Sequence, residues 1–152
     1  MAGGACVFCR IASEEAPAHI VYEDDSVVVF LDIYPVEKGH LLVIPRRHYE
    51  SIIDAPPRVA AGILATAAAL ARLYREKLEA PGVNILSNSG KPAGQEVFHF
   101  HVHVIPRWRG GGWRTLFMRH RLTEEEAREV LEMWKPLRDD IREYIREALM
   151  LG

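Results

Sequence analysis

No apolar run in this chain approaches the ~20 residues that a membrane-spanning helix requires, and the N-terminus has neither a basic start nor a long apolar stretch. Neither a membrane anchor nor a secretory leader is expected, and the reading is a cytoplasmic protein. Repeats, low-complexity tracts and linkers are also missing, so 152 residues that are 49% apolar should bury one good core as a single domain. Amides and lysines are scarce: Gln95 is the sole glutamine, Asn84 and Asn88 are the sole asparagines, and arginine outnumbers lysine 15 to 4. That balance leans toward thermophilic composition. Acidic residues are absent between Glu96 and Glu124, an interval that holds Arg107, Arg109, Arg114, Arg119, His120 and Arg121. The overall net charge is -2 and no nucleic-acid-binding module is present, so the basic stretch points to a small anionic ligand ahead of a nucleic acid. An arginine-rich solvated loop is the alternative.

What the chain does have is Phe98-His99-Phe100-His101-Val102-His103-Val104-Ile105-Pro106. Strict alternation of histidine with Phe and Val, closed by a proline that cannot extend a ladder, reads as a strand with one buried face. The three imidazoles then share the other face. At about 3.3 Å per residue, neighbouring histidines start ~6.6 Å apart and the outer pair ~13 Å apart, too far for one small reactive centre to touch all three. His101, in the middle, is the candidate to meet a substrate atom. One neighbour would serve a leaving group and the other a different purpose. The pattern by itself leaves metal-dependent hydrolysis and a nucleophilic histidine both open.

Two runs rich in β-branched residues, Val27 to Leu31 and Leu41 to Ile44, flank a turn-like stretch from Asp32 to Gly39 and read as a hairpin. Asp54 and Pro56-Pro57 open a helix expected to run to about Glu79, where Pro81-Gly82 stops it, with Val59, Ile63, Leu70, Leu73 and Leu78 as its core-facing stripe. Val83 to Leu86 is a third strand, the loop Ser87 to Gln95 follows, and the histidine strand is the fourth. Thr123 and Glu126 form a capping box for a C-terminal helix that Pro136 must kink or divide. The class is α+β. The two cysteines, Cys6 and Cys9, are a redox dithiol or half of a zinc site by spacing alone. A thioredoxin-like context is missing for the first, and two further ligands are needed for the second.

His99-Phe100-His101-Val102-His103-Val104-Ile105 resembles the His-φ-His-φ-His-φ-φ signature, with φ apolar, of the histidine triad family of nucleotide-binding proteins and hydrolases. The stretch from Asp32 to Pro45 resembles that family's other long signature, and Gly94-Gln95 precedes the triad as it does there. The likeness runs from about residue 6 to 107, leaving 108–152 as a divergent C-terminal loop and helix within one domain spanning 1–152. It implies an antiparallel sheet with a long central helix, a homodimer, and cleavage of a purine nucleotide derivative at its α-phosphate to give an AMP-type product. Dinucleoside polyphosphates, nucleoside phosphoramidates and adenylates are the substrate classes implied. A nucleotide-binding sensor with vestigial turnover is the alternative.

The resemblance also assigns roles by position. His101 would be the nucleophile that forms a nucleotidyl-histidine intermediate, His103 the residue that serves the departing group, and His40 and His99 complete the catalytic set. Asp32 corresponds to the acid that accepts from the ribose, and Val7, Phe8, Ile11, Phe30, Ile33 and Leu42 to the base pocket. Asn88, Gly94 and Gln95 fall where donors approach the α-phosphate. Histidine rather than glutamine at 103 favours water as acceptor. Members with a Cys-x-x-Cys bind zinc through it, which implies Cys6, Cys9, His48 and His99 as four ligands of a structural Zn2+, with no catalytic metal.

Overall fold

The hairpin read from the sequence is the centre of a five-stranded antiparallel sheet in the computed structural model, which describes residues 6–150. Strand β1 covers Ile20–Glu23, β2 Val27–Leu31, β3 Leu41–Pro45, β4 Val83–Leu86 and β5 Val102–Pro106, in spatial order β1-β2-β3-β5-β4. β2 and β3 pair from Val27 with Pro45 to Leu31 with Leu41, and β3 meets β5 with Leu42 opposite His103. Every residue of β2, β3 and β5 is buried. β2 and β3 therefore read as continuous apolar runs rather than half-polar ones, because both sheet faces are covered.

Period-two alternation decides which residue goes to which face. Val27, Val29, Leu31, Leu41, Val43, Val102 and Val104 pack under the helix α2, Pro57–Glu76, on Ile63, Leu70, Leu73 and Tyr74. Each Leu or Ile buried there contributes roughly 1.5–3 kcal/mol. Val28, Phe30, Leu42 and Ile44 point the other way, against Phe8 and Ala12 of the short helix α1, Val7–Ala12. Beyond the sheet, α3 (Glu124–Trp134) and α4 (Arg138–Met150) close the α2 side. Trp134 is fully buried, with its ring edge-on to Tyr74 at 4.8 Å. Pro136 divides the C-terminal helix as expected, through a 3-10 turn at Lys135–Leu137.

Several expectations need correction. The sheet has five strands, not four: β1 is four residues long with a register shift between Ile20 and Tyr22, too short and irregular to show a period. The α2 helix ends at Glu76, three residues early, because Ala80 N–H bonds back to Tyr74 O and Glu79 takes a positive φ of 60°. The histidine strand pairs from Val102 onward, and its histidine face is covered too, with His99 fully buried and His103 7% exposed. Thr123 caps α3 by accepting from Glu126 N–H, but the Glu126 carboxylate turns to His120 at 3.0 Å instead of completing the box. Among the described residues no helix is long and apolar enough to cross a membrane.

Candidate active site and metal cluster

Three elements far apart in sequence converge at the start of the histidine segment. Cys6 caps α1 and Cys9 lies one turn into it, while His48 follows β3 and His99 precedes β5. Cys6 Sγ is 3.4 Å from His99 Nδ1, and Cys9 Sγ is 3.3 Å from His48 Nδ1 and 3.5 Å from His99 Nδ1. All four potential ligand atoms lie within 4.8 Å of one another. A tetrahedral zinc with Zn–S near 2.3 Å and Zn–N near 2.0–2.1 Å needs sulfur and nitrogen about 3.6 Å apart. The donor set and its spacing fit Zn2+.

The surroundings favour the same ion. His99 Nε2–H donates to Pro45 O at 2.9 Å, which fixes the proton on Nε2 and turns a bare Nδ1 toward the sulfurs. Burial lowers the His99 pKa from 6.5 to about 4, so the ring is neutral and ready to coordinate. Burial and the neighbouring Cys6 sulfur push Cys9 up to about 11. A dication beside it would reverse that and release the proton.

His101 and His103, next along the chain, line a different space. Their rings are 5.1 Å apart, and both border a cavity of about 360 Å³ on the α1 side of the sheet. His101 Nδ1 lies 2.6 Å from His99 O and must donate to it. Nε2 is then unprotonated and is the ring atom left to face the cavity. Ser87 Oγ–H holds the His101 carbonyl at 2.7 Å from the neighbouring strand end, a contact that no local sequence pattern announces. Burial lowers the pKa of His101, and the His99 carbonyl and Asp32 pull against it.

His103 receives its tautomer through His40. Val36 N–H donates to His40 Nδ1 at 3.0 Å, so the His40 proton sits on Nε2. That Nε2–H donates to His103 Nδ1 at 2.9 Å, which leaves the His103 proton on its own Nε2, the free end of the ring. Burial carries the pKa of His40 well below 6.5 and that of His103 to about 3, so the chain of donors runs through neutral rings. Asp32 Oδ2 is 3.5 Å from His40 Nε2 and 4.0 Å from His103 Nδ1. Asp32, His40 and His103 could be taken for a second metal cradle. The His40 tautomer argues otherwise, because a cation on Nε2 would require an imidazole stripped of both protons.

The ten residues expected to bind substrate all border this cavity: Val7, Phe8, Ile11, Phe30, Ile33 and Leu42 on its apolar side, with Asp32, Asn88, Gly94 and Gln95. Phe8 sits edge-on to Phe30 at 5.4 Å and to His101 at 5.2 Å. His40 and His99 do not border the cavity and lie behind its wall. The Gln95 side chain is already committed: Oε1 accepts from Gly90 N–H at 2.8 Å, and Nε2 donates to Glu50 O at 2.6 Å and Val97 O at 3.0 Å. Donors from that loop are thus left to the main chain and to Asn88, whose Nδ2–H reaches Gly94 O only at 3.4 Å. Burial pushes the Asp32 carboxyl above its ordinary range, opposed by Tyr34 N–H at 2.8 Å and by the Arg119 charge.

The basic stretch divides. Arg107 is buried and tied to Glu37 at 2.8 Å and Asn84 at 2.8 Å, and Trp108 Nε1–H donates to Lys38 O at 2.7 Å. Both are structural. Arg119 alone of this stretch borders the cavity.

A family model described as "HIT domain" matches residues 13–110. The chain belongs to the histidine triad (HIT) family. Protein hit of Bacillus subtilis is 41% identical over 116 residues, 76% of this chain and 80% of that protein. An adenylylsulfatase of Arabidopsis thaliana is 38% identical over 102 residues, 67% of this chain and 52% of that protein. The crystal structure of a zinc-bound histidine triad family protein from Mycobacterium smegmatis superposes with a TM-score of 0.75 at 42% identity, covering 90% of this chain and 97% of the other. The expected HIT fold and the α+β class hold.

Proposed function

We propose that this HIT protein hydrolyses nucleoside 5'-phosphate derivatives at the α-phosphorus through a nucleotidyl-His101 intermediate. The observation that carries the reading is the pair of opposed tautomers at the cavity. His101 offers a bare Nε2, held so by the His99 carbonyl, and His103 offers an Nε2–H, held so by Val36 and His40. One ring can attack while the other donates. Phosphoryl transfer asks a protein chiefly for this kind of positioning. The base would enter between Phe8, Ile11, Phe30 and Leu42, with the ribose on Asp32. Water then resolves the intermediate: its oxygen bonds the phosphorus, the P–N electron pair returns to His101 Nε2, the proton released passes to solvent, and His103 stays neutral as a hydrogen-bond donor. That the Arabidopsis relative is an adenylylsulfatase supports hydrolysis of such an α-phosphate bond. Zn2+ on Cys6, Cys9, His48 and His99 supports the wall of the base pocket and takes no part in cleavage. Two chains would join as the family's homodimer, for which the exposed edge of β4, with Ile85 44% exposed, is a suitable seam.

A panel of adenosine phosphoramidate, diadenosine tri- and tetraphosphate and adenylylsulfate tests the activity. Rapid acid-free quenching should trap one adenylyl group on the peptide carrying His101. Turnover of at least one substrate with an adduct elsewhere, or on no peptide, sinks the covalent route.

Asp32 gives a separate expectation. Losing hydrogen bonds to a carboxylate should weaken ribonucleotide binding about tenfold to a hundredfold in Asp32→Ala. Calorimetry with AMP and its 2',3'-dideoxy analogue checks it. Equal affinity of the unaltered protein for both ligands removes Asp32 from the ribose site.

A further inference from the structure

Asp32 has a second partner that the hydrolase chemistry above does not use. The segment after β5 loops back across the mouth of the cavity. His120 N–H bonds Pro35 O at 3.1 Å and Leu122 N–H bonds Ile33 O at 2.9 Å, so the two stretches lie side by side. This places Arg119 against the cavity, with Nη1 3.4 Å from Asp32 Oδ2 and 3.1 Å from Tyr34 O. Among the described residues that border the cavity, Arg119 is the sole lysine or arginine. The other formal charges there, Asp32 and Glu96, are negative, and the histidines are neutral. A ligand that brings several phosphate charges meets one permanent cation.

The contact that holds Arg119 is loose. Charge-assisted N–H···O bonds are usually about 2.7–2.9 Å long, against 3.4 Å here, and the Arg119 side chain is 36% exposed. Asp32 Oδ2 is also the atom 4.0 Å from His103 Nδ1, so the one carboxylate neighbours both the guanidinium and the His103 ring. The guanidinium charge reaches the imidazoles and adds to the burial that keeps His40, His101 and His103 neutral.

We propose that Arg119 is the specificity-determining residue for the departing group: ribose hydroxyls take over the Asp32 carboxylate, and the released guanidinium pairs with a leaving group that departs as a sulfate or phosphate oxyanion. This rests on the hydrolase reading. In the first step the His101 Nε2 lone pair forms a P–N bond and the P–X bond breaks, its electron pair going to X. Where X is an oxygen of sulfate or phosphate, the group leaves as an anion and needs a cation more than a proton. Where X is the nitrogen of a phosphoramidate, it takes a proton from solvent, leaves as a neutral amine hydrogen-bonded by His103 Nε2–H, and Arg119 has nothing to pair with. Arg119 thus turns one catalytic pair toward anhydrides of phosphate and sulfate and away from phosphoramidates.

The test compares kcat/KM on adenylylsulfate and on adenosine phosphoramidate for the unaltered protein, Arg119→Ala and Arg119→Lys. Loss of a hydrogen-bonded charge on the leaving oxyanion should cost Arg119→Ala about tenfold to a hundredfold on adenylylsulfate and less than about threefold on the phosphoramidate. Arg119→Lys should recover most of the loss. Equal losses on the two substrates, which a merely structural arginine would give, overturn the proposal, as does no loss on adenylylsulfate. Equilibrium binding supplies a readout that needs no turnover. In a His101→Ala background the preference for ADP over AMP should fall about tenfold on adding Arg119→Ala, with AMP affinity and melting temperature held. An unchanged preference overturns the proposal whatever the kinetics show. Failure of the unaltered protein to cleave any substrate of the panel defeats the hydrolase reading instead, and leaves the ADP preference to decide the role of Arg119.

Discussion

His101→Ala is expected to lower kcat on every cleaved substrate by at least about a thousandfold while leaving AMP affinity within about threefold. The argument is geometric. His101 Nε2 is the one imidazole nitrogen at the cavity that is both bare and held so by a carbonyl, at 2.6 Å. Water that takes its place would have to attack the α-phosphorus directly, without the preorganised nucleophile and without the split into two easier steps. The ring is half-buried and its loss leaves the adjoining core of Phe100 and Val102 untouched, so folding should survive. His103→Ala should behave differently. Losing one hydrogen-bond donor to the departing group costs about a hundredfold to a thousandfold, and the loss should bite hardest where the leaving group is poorest, on phosphoramidates, and least on adenylylsulfate. Steady-state kinetics on the two substrates, with calorimetry for AMP, measure both effects. Retention of more than a tenth of the activity by His101→Ala on every substrate would rule out a covalent histidine.

The parts of this picture that were legible in the sequence are those encoded by short-range pattern. Alternation marks the histidine segment, β-branched runs around a turn mark the hairpin, proline and glycine mark the helix limits to within a few residues, and two ordered motifs mark the family. Geometry that depends on tertiary return was not legible. Nothing local in the sequence says that the histidine face is covered at both ends, with His99 and His103 buried, since that follows from α1 lying over it. The spacing of Cys6, Cys9, His48 and His99 suggests no shared centre until the fold brings three segments together. His40 could be placed in the catalytic set by motif, yet its task of passing a tautomer from Val36 to His103 exists only as a chain of distances. The basic stretch was read as one feature and is two. Arg107 is sunk among Glu37 and Asn84, whereas Arg119 is carried back to Asp32 by main-chain bonds to residues 33 and 35. Charge density along a sequence cannot separate a buried structural guanidinium from one that borders a ligand site.

Removing the metal ligands should uncouple stability from chemistry. The protein as purified is expected to hold one zinc per chain, and Cys6→Ser with Cys9→Ser should abolish it. Zinc at about a thousand times its dissociation constant stabilises a fold by ~4 kcal/mol. At roughly 2–4 °C per kcal/mol for a domain of this size, the melting temperature should fall by ~10 °C. The fold should persist, because the larger core between the sheet and α2 lies on the opposite face from Cys6 and Cys9. The damage should appear in binding. Cys6 and Cys9 flank two residues of the base pocket, Val7 and Phe8, and Phe8 is edge-on to His99 at 6.0 Å and to His101 at 5.2 Å. Once α1 is released, Phe8 no longer has a fixed position against the base or the nucleophile. AMP affinity should drop by about tenfold, the equivalent of one poorly placed aromatic contact, and KM should rise more than kcat falls. Added Zn2+, Mg2+ or Mn2+ should not restore turnover to the double serine variant, since the attacking atom is an imidazole nitrogen. Metal analysis, calorimetry and kinetics on the same preparations decide it. Protein prepared under reducing, chelator-free conditions without zinc, or zinc content unchanged in the double variant, would defeat the ligand assignment. Loss of turnover on metal removal with melting temperature and AMP affinity intact would move the ion from the wall of the pocket into the reaction.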